Sequence, residues 1–515
     1  MRRIVPLLLL ASLALSAAGA SPAQANPQST LSIMMDDDLL VYRGDEVRDQ
    51  TLKRMKALGV DYVRVTVLWS VVADGMKKSK RRRADQPSAY PKANWDKYDR
   101  LVRAGKTLGI GIYFNVTGAG PKWVMGKPPK SQRRYANTWK PNPREFGKFV
   151  KAVGTRYDGT RRDENDKRAK LPRVSFWTLY NEPNQAGWLT PQWKGKIPWS
   201  PVLYRDLWYH GRRGLDASGH REDIVMIGET APLGTNNTNP PSPIYPKKFI
   251  REFFCVDSRN KRYTGAAARR RKCSTLKRIQ PLRYLAWAHH PYTKRLGPTK
   301  RDPDRNAITM ANIGELPQLL QNIGARRDPT AALNLAALTE FGYETNPPDP
   351  FSGISPAKQA ADINVGDYLA YKDPRVIANT QFLLTDVKGV SGFPKSNKKH
   401  WFTYQSGLFY SSGKPKPAAA SYRLPLVLTA RSGSTASFWG WLRFLPTGTK
   451  TEVQMQFRPA GAPAFQNAGR PVKVTNPAGF FETTQPAAGP GTWRAAFIEP
   501  FSKTAIISRD IATSG

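Results

Sequence analysis

From residue 31 to about residue 423 the chain alternates short apolar runs with longer segments whose apolar residues recur every three or four positions. The short runs have the character of parallel strands, and the longer segments that of helices laying one stripe onto a sheet. Strands are predicted at 31–35 (LSIMM), 61–69 (DYVRVTVLW), 110–116 (IGIYFNV), 175–181 (SFWTLYN), 223–229 (DIVMIGE), 284–290 (YLAWAHH), 334–340 (NLAALTE) and 376–384 (VIANTQFLL). Helices are predicted between them, among others at 49–58, 95–108, 144–157, 204–217 and 312–323. Gly59 and Gly109 stand directly after two of these, where a left-handed cap belongs. Eight strands with intervening helices predict an α/β protein built on a closed (β/α)8 TIM barrel. An open doubly wound sheet is the rival, but no glycine-rich phosphate loop follows the first strand.

After Pro425 the texture changes to short β-rich runs (ASFWGWLRFL, TEVQMQFR, PVKVT, TWRAAFIE, TAIISRD) spaced by Gly, Pro, Ser and Thr turns. This predicts a small C-terminal all-β, sandwich-like domain, whose aromatics serve either a carbohydrate-binding face or packing against the barrel. At the other end, Met1, Arg2 and Arg3 precede an apolar run and the small-residue site Ala23-Gln24-Ala25, the pattern of a secretory signal peptide. The expected organisation is a signal at 1–25, a barrel at 26–424 and the β domain at 425–515. No later segment reaches the length of apolar sequence that spans a bilayer. A secreted, extracellular and monomeric protein is therefore expected, and the two cysteines, Cys255 and Cys273, are expected to form a disulfide.

With 80 Lys+Arg against 39 Asp+Glu the formal charge is +41, a field that favours polyanions. The densest runs, KKSKRRR at 77–83 and RRRK at 269–272, lack the interleaved aromatics of a single-strand binding groove, so no specific nucleic acid partner is expected. The alternative for these runs is a solvated surface without a dedicated partner.

In a barrel of this kind chemistry gathers at the C-terminal ends of the strands. Strand four ends in Asn181 and Glu182, and strand seven in Thr339, Glu340, Phe341 and Gly342. Strands four and seven stand nearly opposite, so two carboxyls can face one bond, as glycosidic hydrolysis needs. A raised pKa, from mutual repulsion and partial burial, is expected on the acid of the pair.

WTLYNEPN followed by LTEFGYET resembles clan A of the glycoside hydrolases, the retaining (β/α)8 enzymes, in the manner of families 5 and 39. The resemblance implies Glu182 as acid/base, Glu340 as nucleophile and Asn181 as a ligand of the neighbouring substrate hydroxyl. It extends to His290-Pro291-Tyr292 at the end of strand six, with Tyr292 touching the nucleophile, and to Arg64 in strand two. Such enzymes commonly place a tryptophan at the end of strand eight; here that strand runs FLLTD to Asp386, and Trp401 in the following loop is the candidate replacement.

Further substrate contacts are expected from Trp69 and Trp188 by stacking on a sugar face, with Trp177 packing inside the barrel. Asn115 and Asp36 are expected to hydrogen-bond substrate hydroxyls, and Glu229 to bind substrate or, as the alternative, to take part in catalysis directly. Glu344 is expected in the loop after strand seven. Histidines are few and scattered, so neither a metal nor another cofactor is expected. The expected function is a secreted retaining glycosidase acting on an oligo- or polysaccharide, with an acidic or wall-associated glycan as the class the charge favours. The alternative is a non-catalytic carbohydrate, cell-wall or polyanion binder on a barrel scaffold.

Overall fold

The computed structural model describes residues 30–165, 169–279, 282–324, 334–486, 489–499 and 503–513. The expected signal peptide at 1–25 lies outside them. Eight parallel strands close into a barrel in chain order: β1 (Leu31–Met35), β2 (Tyr62–Leu68), β3 (Gly111–Thr117), β4 (Phe176–Leu179), β5 (Ile224–Thr230), β6 (Ala286–His289), β7 (Leu335–Phe341) and β8 (Val376–Phe382). β8 returns to β1 with Leu31 beside Ala378, which closes the sheet and excludes the open doubly wound arrangement. Each strand is followed by a major helix: α1 (Asp45–Ala57), α2 (Ala93–Leu108), α3 (Pro143–Arg156), α4 (Ser200–Asp216), α5 (Pro246–Phe253), α6 (Glu315–Asn322), α7 (Pro356–Lys372) and α8 (Pro417–Arg423).

Alternation along the strands separates two cores. Ile33, Tyr113, Phe176, Met226, Ala286, Ala288, Leu335, Ala337 and Ala378 fill the barrel interior. Their neighbours in sequence, such as Phe114, Trp177 and Val225, face the helical shell with α2, α3 and α4. Local signals start and stop the helices. Asn142 caps α3 by accepting the N–H groups of Arg144 and Glu145 at 3.0 and 3.3 Å, with Pro143 at the first helical position. Gly109 ends α2 in the left-handed conformation at φ +63°. Gly59 follows α1 at φ +83°, and a Cβ there would lie 2.4 Å from the carbonyl oxygen of Arg443, so this turn also lets the C-terminal region approach.

That region consists of antiparallel sheets. One pairs Leu426–Ser432, Thr435–Trp441 and Phe480–Pro486; the other is built on Thr451–Pro459 and Gly491–Ile498. Phe438, Val453, Met455, Phe481 and Trp493 lie between them. Trp439, Trp441 and Phe480 pack on Tyr368 and Tyr371 of α7, so these aromatics bind the barrel. Arg443 is buried at the same junction: it pairs with Asp367 of α7, donates to the Tyr422 carbonyl at 2.8 Å and to Ser32 Oγ at 3.1 Å. Cys255 and Cys273 form a disulfide across the segment after α5, with Cα atoms 5.7 Å apart. Among the described residues no helix is long and apolar enough to cross a membrane.

Candidate active site

β4 stops at Leu179, and the next three residues leave extended geometry without losing their neighbours. Tyr180 and Glu182 take positive φ, +80° and +35°. Tyr180 N–H still donates to Val116, Asn181 N–H to Thr117 Oγ1 and Glu182 N–H to the Glu229 carbonyl, each at 2.9 Å. Positive φ at non-glycine residues is sparsely populated and costs free energy that the flanking hydrogen bonds must hold in place. Glu340 arrives more simply, as the penultimate residue of β7. One side-chain oxygen of Glu182, one of Glu340 and a ring nitrogen of His290 all lie within 4.8 Å of one another.

Beneath this pair lies Glu229, delivered by a register shift between Gly228 and Thr230 where β5 meets β6. A bulge of this kind re-aims one side chain, here into the barrel mouth. Glu229 has no solvent exposure. It accepts from Arg64, Asn115 and Tyr113, from Thr178 Oγ1 at 2.8 Å, and stands 3.4 Å from His290 Nε2. Arg64, also fully buried, extends from Glu229 to Glu340 Oε1 at 3.1 Å and to Asn181 Oδ1 at 2.8 Å. His290 Nδ1 lies 2.8 Å from Glu182 Oε1 and 3.5 Å from Glu340 Oε2, and the Tyr292 hydroxyl donates to Glu340 Oε2 at 3.0 Å.

The electrostatics follow from this packing. Burial disfavours the His290 cation, but the Glu340 charge and the hydrogen bonds to Glu182 and Glu229 override it and hold the imidazolium to about 10. Burial acts upward on Glu229 too, yet Arg64 and His290 hold its carboxyl well below the usual carboxylate range. Burial raises the Glu340 carboxyl, with Glu182 and Glu229 adding to the rise against the downward pull of His290 and Arg64. The upward push expected of the acid thus falls on the more buried partner. His289 points the other way, bonded to Thr230 Oγ1 and the Ile308 carbonyl at 2.9 Å each; burial pushes it down to about 3, and it is neutral.

A cleft of about 1210 Å³ opens above the pair, lined among others by Asn181, Glu182, Trp188, Tyr292 and Glu340. The remaining expected site residues do not line it. Arg64, Asn115, Glu229 and His290 form the layer below, so Glu229 corrects from substrate ligand to support. Trp69 also corrects: the helix that starts at that residue turns its indole outward, where it is buried and stacks on Phe149 at 5.6 Å. Asp36 is buried and accepts the N–H groups of Leu39 and Thr385 at 3.3 and 3.0 Å, tying the ends of β1 and β8; burial pushes it up to about 7. Its neighbour Asp37 lines the cleft instead, while accepting Thr66 N–H at 3.1 Å.

Trp401 is likewise not on the cleft, since its indole N–H donates to the Lys395 carbonyl at 2.7 Å in an exposed turn. Phe382 at the end of β8 and Tyr404 supply the aromatic wall there, ring centroids 5.0 Å apart and nearly perpendicular. Sequence reasoning missed Tyr113, Thr178, Asp37 and Tyr404. Strand periodicity carried a signal for the first two, because Tyr113, Asn115 and Thr178 share the inward face of β3 and β4. The basic charge of the chain is not concentrated in the cleft: Asp37, Asp302 and Glu344 line it beside Lys294, Arg295 and Lys398.

The convergence of Glu182, His290 and Glu340 has the spacing of a cation site. His290 holds its own proton to about 10, and its Nδ1 faces both carboxylates as a donor.

No family model and no curated protein sequence matches the chain. Among solved structures it is similar to a family 39 glycoside hydrolase from the gut symbiont Bacteroides cellulosilyticus, at 12% identity and TM-score 0.48 over 90% of this chain and 82% of that one. A glucosidase from Croceicoccus marinus aligns at 11% identity and TM-score 0.47, over 90% of this chain and 81% of the other. A family 30 endoxylanase from Clostridium papyrosolvens aligns at 10% identity and TM-score 0.45, over 89% and 94%.

Proposed function

We propose that the protein is a retaining glycosidase acting on an oligo- or polysaccharide. The observation that carries this reading is the approach of the Glu182 and Glu340 oxygens to within 4.8 Å at the floor of an open cleft. Double displacement uses carboxyls about 5 to 5.5 Å apart, whereas inversion needs a wider gap to admit water. Glu340 receives Arg64 Nη1 and the Tyr292 hydroxyl, both of which favour its ionised form as nucleophile. Glu340 is assigned the nucleophile's role and Glu182, the more exposed of the two, that of the acid. Glu340 attacks the anomeric carbon as Glu182 protonates the departing oxygen; Glu182 then removes a proton from the water that releases the sugar. Trp188, Phe382 and Tyr404 supply apolar surface for the sugar rings.

Export belongs to the same proposal, with the disulfide between Cys255 and Cys273 in keeping with an oxidising compartment. A panel of nitrophenyl glycosides and polysaccharides, run beside Glu340→Gln, tests the activity, and NMR of the first-formed anomer tests retention. An inverted first product would overturn the mechanism.

A second reading, attachment to a polyanion, is favoured by one surface feature. Arg82, Arg144, Lys148, Lys151, His210 and Arg213 surround a depression of about 360 Å³ between α3, α4 and the basic run after β2, with Asp85 the acidic residue among its lining. This attachment is compatible with turnover in the cleft.

A further inference from the structure

Glu229 is used by neither substrate nor leaving group in the mechanism above, yet it is the most heavily contacted carboxylate of the site. Oε1 takes Arg64 Nε at 3.3 Å, Thr178 Oγ1 at 2.8 Å and the Tyr113 hydroxyl; Oε2 takes Arg64 Nη2 and Asn115 Nδ2 and faces His290 Nε2 at 3.4 Å. A carboxylate offers about four acceptor positions, so no capacity remains for a sugar hydroxyl. Glu229 itself stands at φ +53°, a backbone conformation retained only where surrounding contacts impose it.

Counting charge over the buried cluster gives its role. Arg64 and His290 are cations, and Glu229, Glu182 and Glu340 are carboxyls. With Glu229 ionised, the cluster is neutral when one proton sits on the Glu182 and Glu340 pair. Without the Glu229 charge, neutrality is reached with both members of the pair ionised, and no general acid is left. The other groups facing the cluster do not change the count. Tyr113 and Tyr292 are neutral phenols held well above their usual value by burial, Asn115, Thr178 and Asn181 do not titrate, and His289 is neutral. Burial pushes the Asp37 carboxyl, which interacts with Arg64 and Glu229, towards its neutral form, and Tyr404 on the cleft wall is a phenol raised by burial and by Glu340 and Glu182.

We propose that Glu229 is a positioning residue that balances charge: its carboxylate offsets one of the two cations, Arg64 and His290, beneath the pair, and so keeps one proton on the pair for the acid step. This inference rests on the glycosidase reading for its consequence, but its test does not require turnover. The carboxyl 13C shifts of Glu182 and Glu340 are followed against pH in protein labelled at glutamate Cδ, each signal assigned by its loss in the matching Gln variant.

In Glu229→Gln the proton of the pair should leave about one to two pH units lower than in the native protein, the effect of deleting one charge across a few ångströms of protein. The alkaline limb of kcat/KM should move down by the same interval. Glu229→Asp should restore most of the shift, and so should the double variant Glu229→Gln with Arg64→Gln, which removes one charge of each sign. A folded Glu229→Gln whose pair titrates as in the native protein overturns the proposal. Should Glu229→Gln fail to fold, the double variant decides: a pair titrating within about half a unit of native supports the proposal, and one titrating about a unit or more lower overturns it. Absence of turnover on every glycoside would sink the glycosidase reading while leaving this titration readable.

Discussion

Glu182 and Glu340, 158 residues apart in sequence (340 less 182), bring carboxylate oxygens to within 4.8 Å of each other across the barrel mouth. They reach that position differently, Glu340 from within a regular strand and Glu182 from a distorted strand exit at φ +35°. Only Glu340 has Arg64 and Tyr292 on it, and in the proposed mechanism that asymmetry separates nucleophile from acid.

Removal of either carboxyl should therefore have a different kinetic signature. Glu340→Gln should leave no measurable turnover. Glu182→Gln should slow substrates with poor leaving groups by about 10²–10⁴-fold while sparing formation of the glycosyl-enzyme from activated nitrophenyl glycosides. Stopped-flow release of nitrophenol separates the steps, and thermal melts confirm the fold. Native-level activity in either variant would rule the pair out.

Glu344, on the cleft wall, is pushed up to about 7, chiefly by burial and with Asp349 and Asp386 adding to the rise. The folded protein thus holds a proton that the unfolded chain releases near 4.5. Stability from this group is fully present below that lower value and falls as pH rises through about 7. Urea titrations between these limits should show the decline, and Glu344→Gln should flatten its slope by up to one proton. An identical slope in the variant contradicts the assignment.

Asp367 pairs with Arg443 where the C-terminal sheets meet α7, both side chains almost fully buried. Asp367→Ala leaves an uncompensated guanidinium among Tyr422, Trp441 and Ser32 and should cost about 3–5 kcal/mol. Chemical denaturation measures it. A loss below about 1 kcal/mol would mean that the junction draws its stability from the aromatic packing alone.

The basic depression makes a prediction independent of the cleft. Charge reversal at Arg82, Arg144 and Arg213 should weaken retention on an anionic glycan column and reduce the steepness of its salt dependence. Turnover of a small neutral glycoside should be unchanged. Retention that survives the triple reversal would place polyanion binding elsewhere on the surface.

The elements were legible in the sequence because their causes are local. Short apolar runs located all eight strands, a three-to-four-residue period located helices at 49–58, 95–108, 144–157, 204–217 and 312–323, and Gly59 and Gly109 are punctuation that acts within a few residues. The fates of Trp69, Asp36 and Trp401 were not legible. Each stands one or two residues from a strand end or in a loop, where a single change of backbone direction moves a side chain from cleft to core. Asp36 and Asp37 are adjacent, yet one knots β1 to β8 and the other faces the cleft.

By itself, then, the sequence determined the barrel and the delivery of Glu182 and Glu340 to strand ends, since short-range patterning and strand count suffice for both. Only the tertiary structure decided what those carboxylates sense. Arg64 and Glu229 are 165 residues apart, and the bulge that joins them beneath the pair depends on how β5 pairs with β6. Proton position is a property of charges gathered from different strands into a water-poor site, where each acts on all the others over a few ångströms.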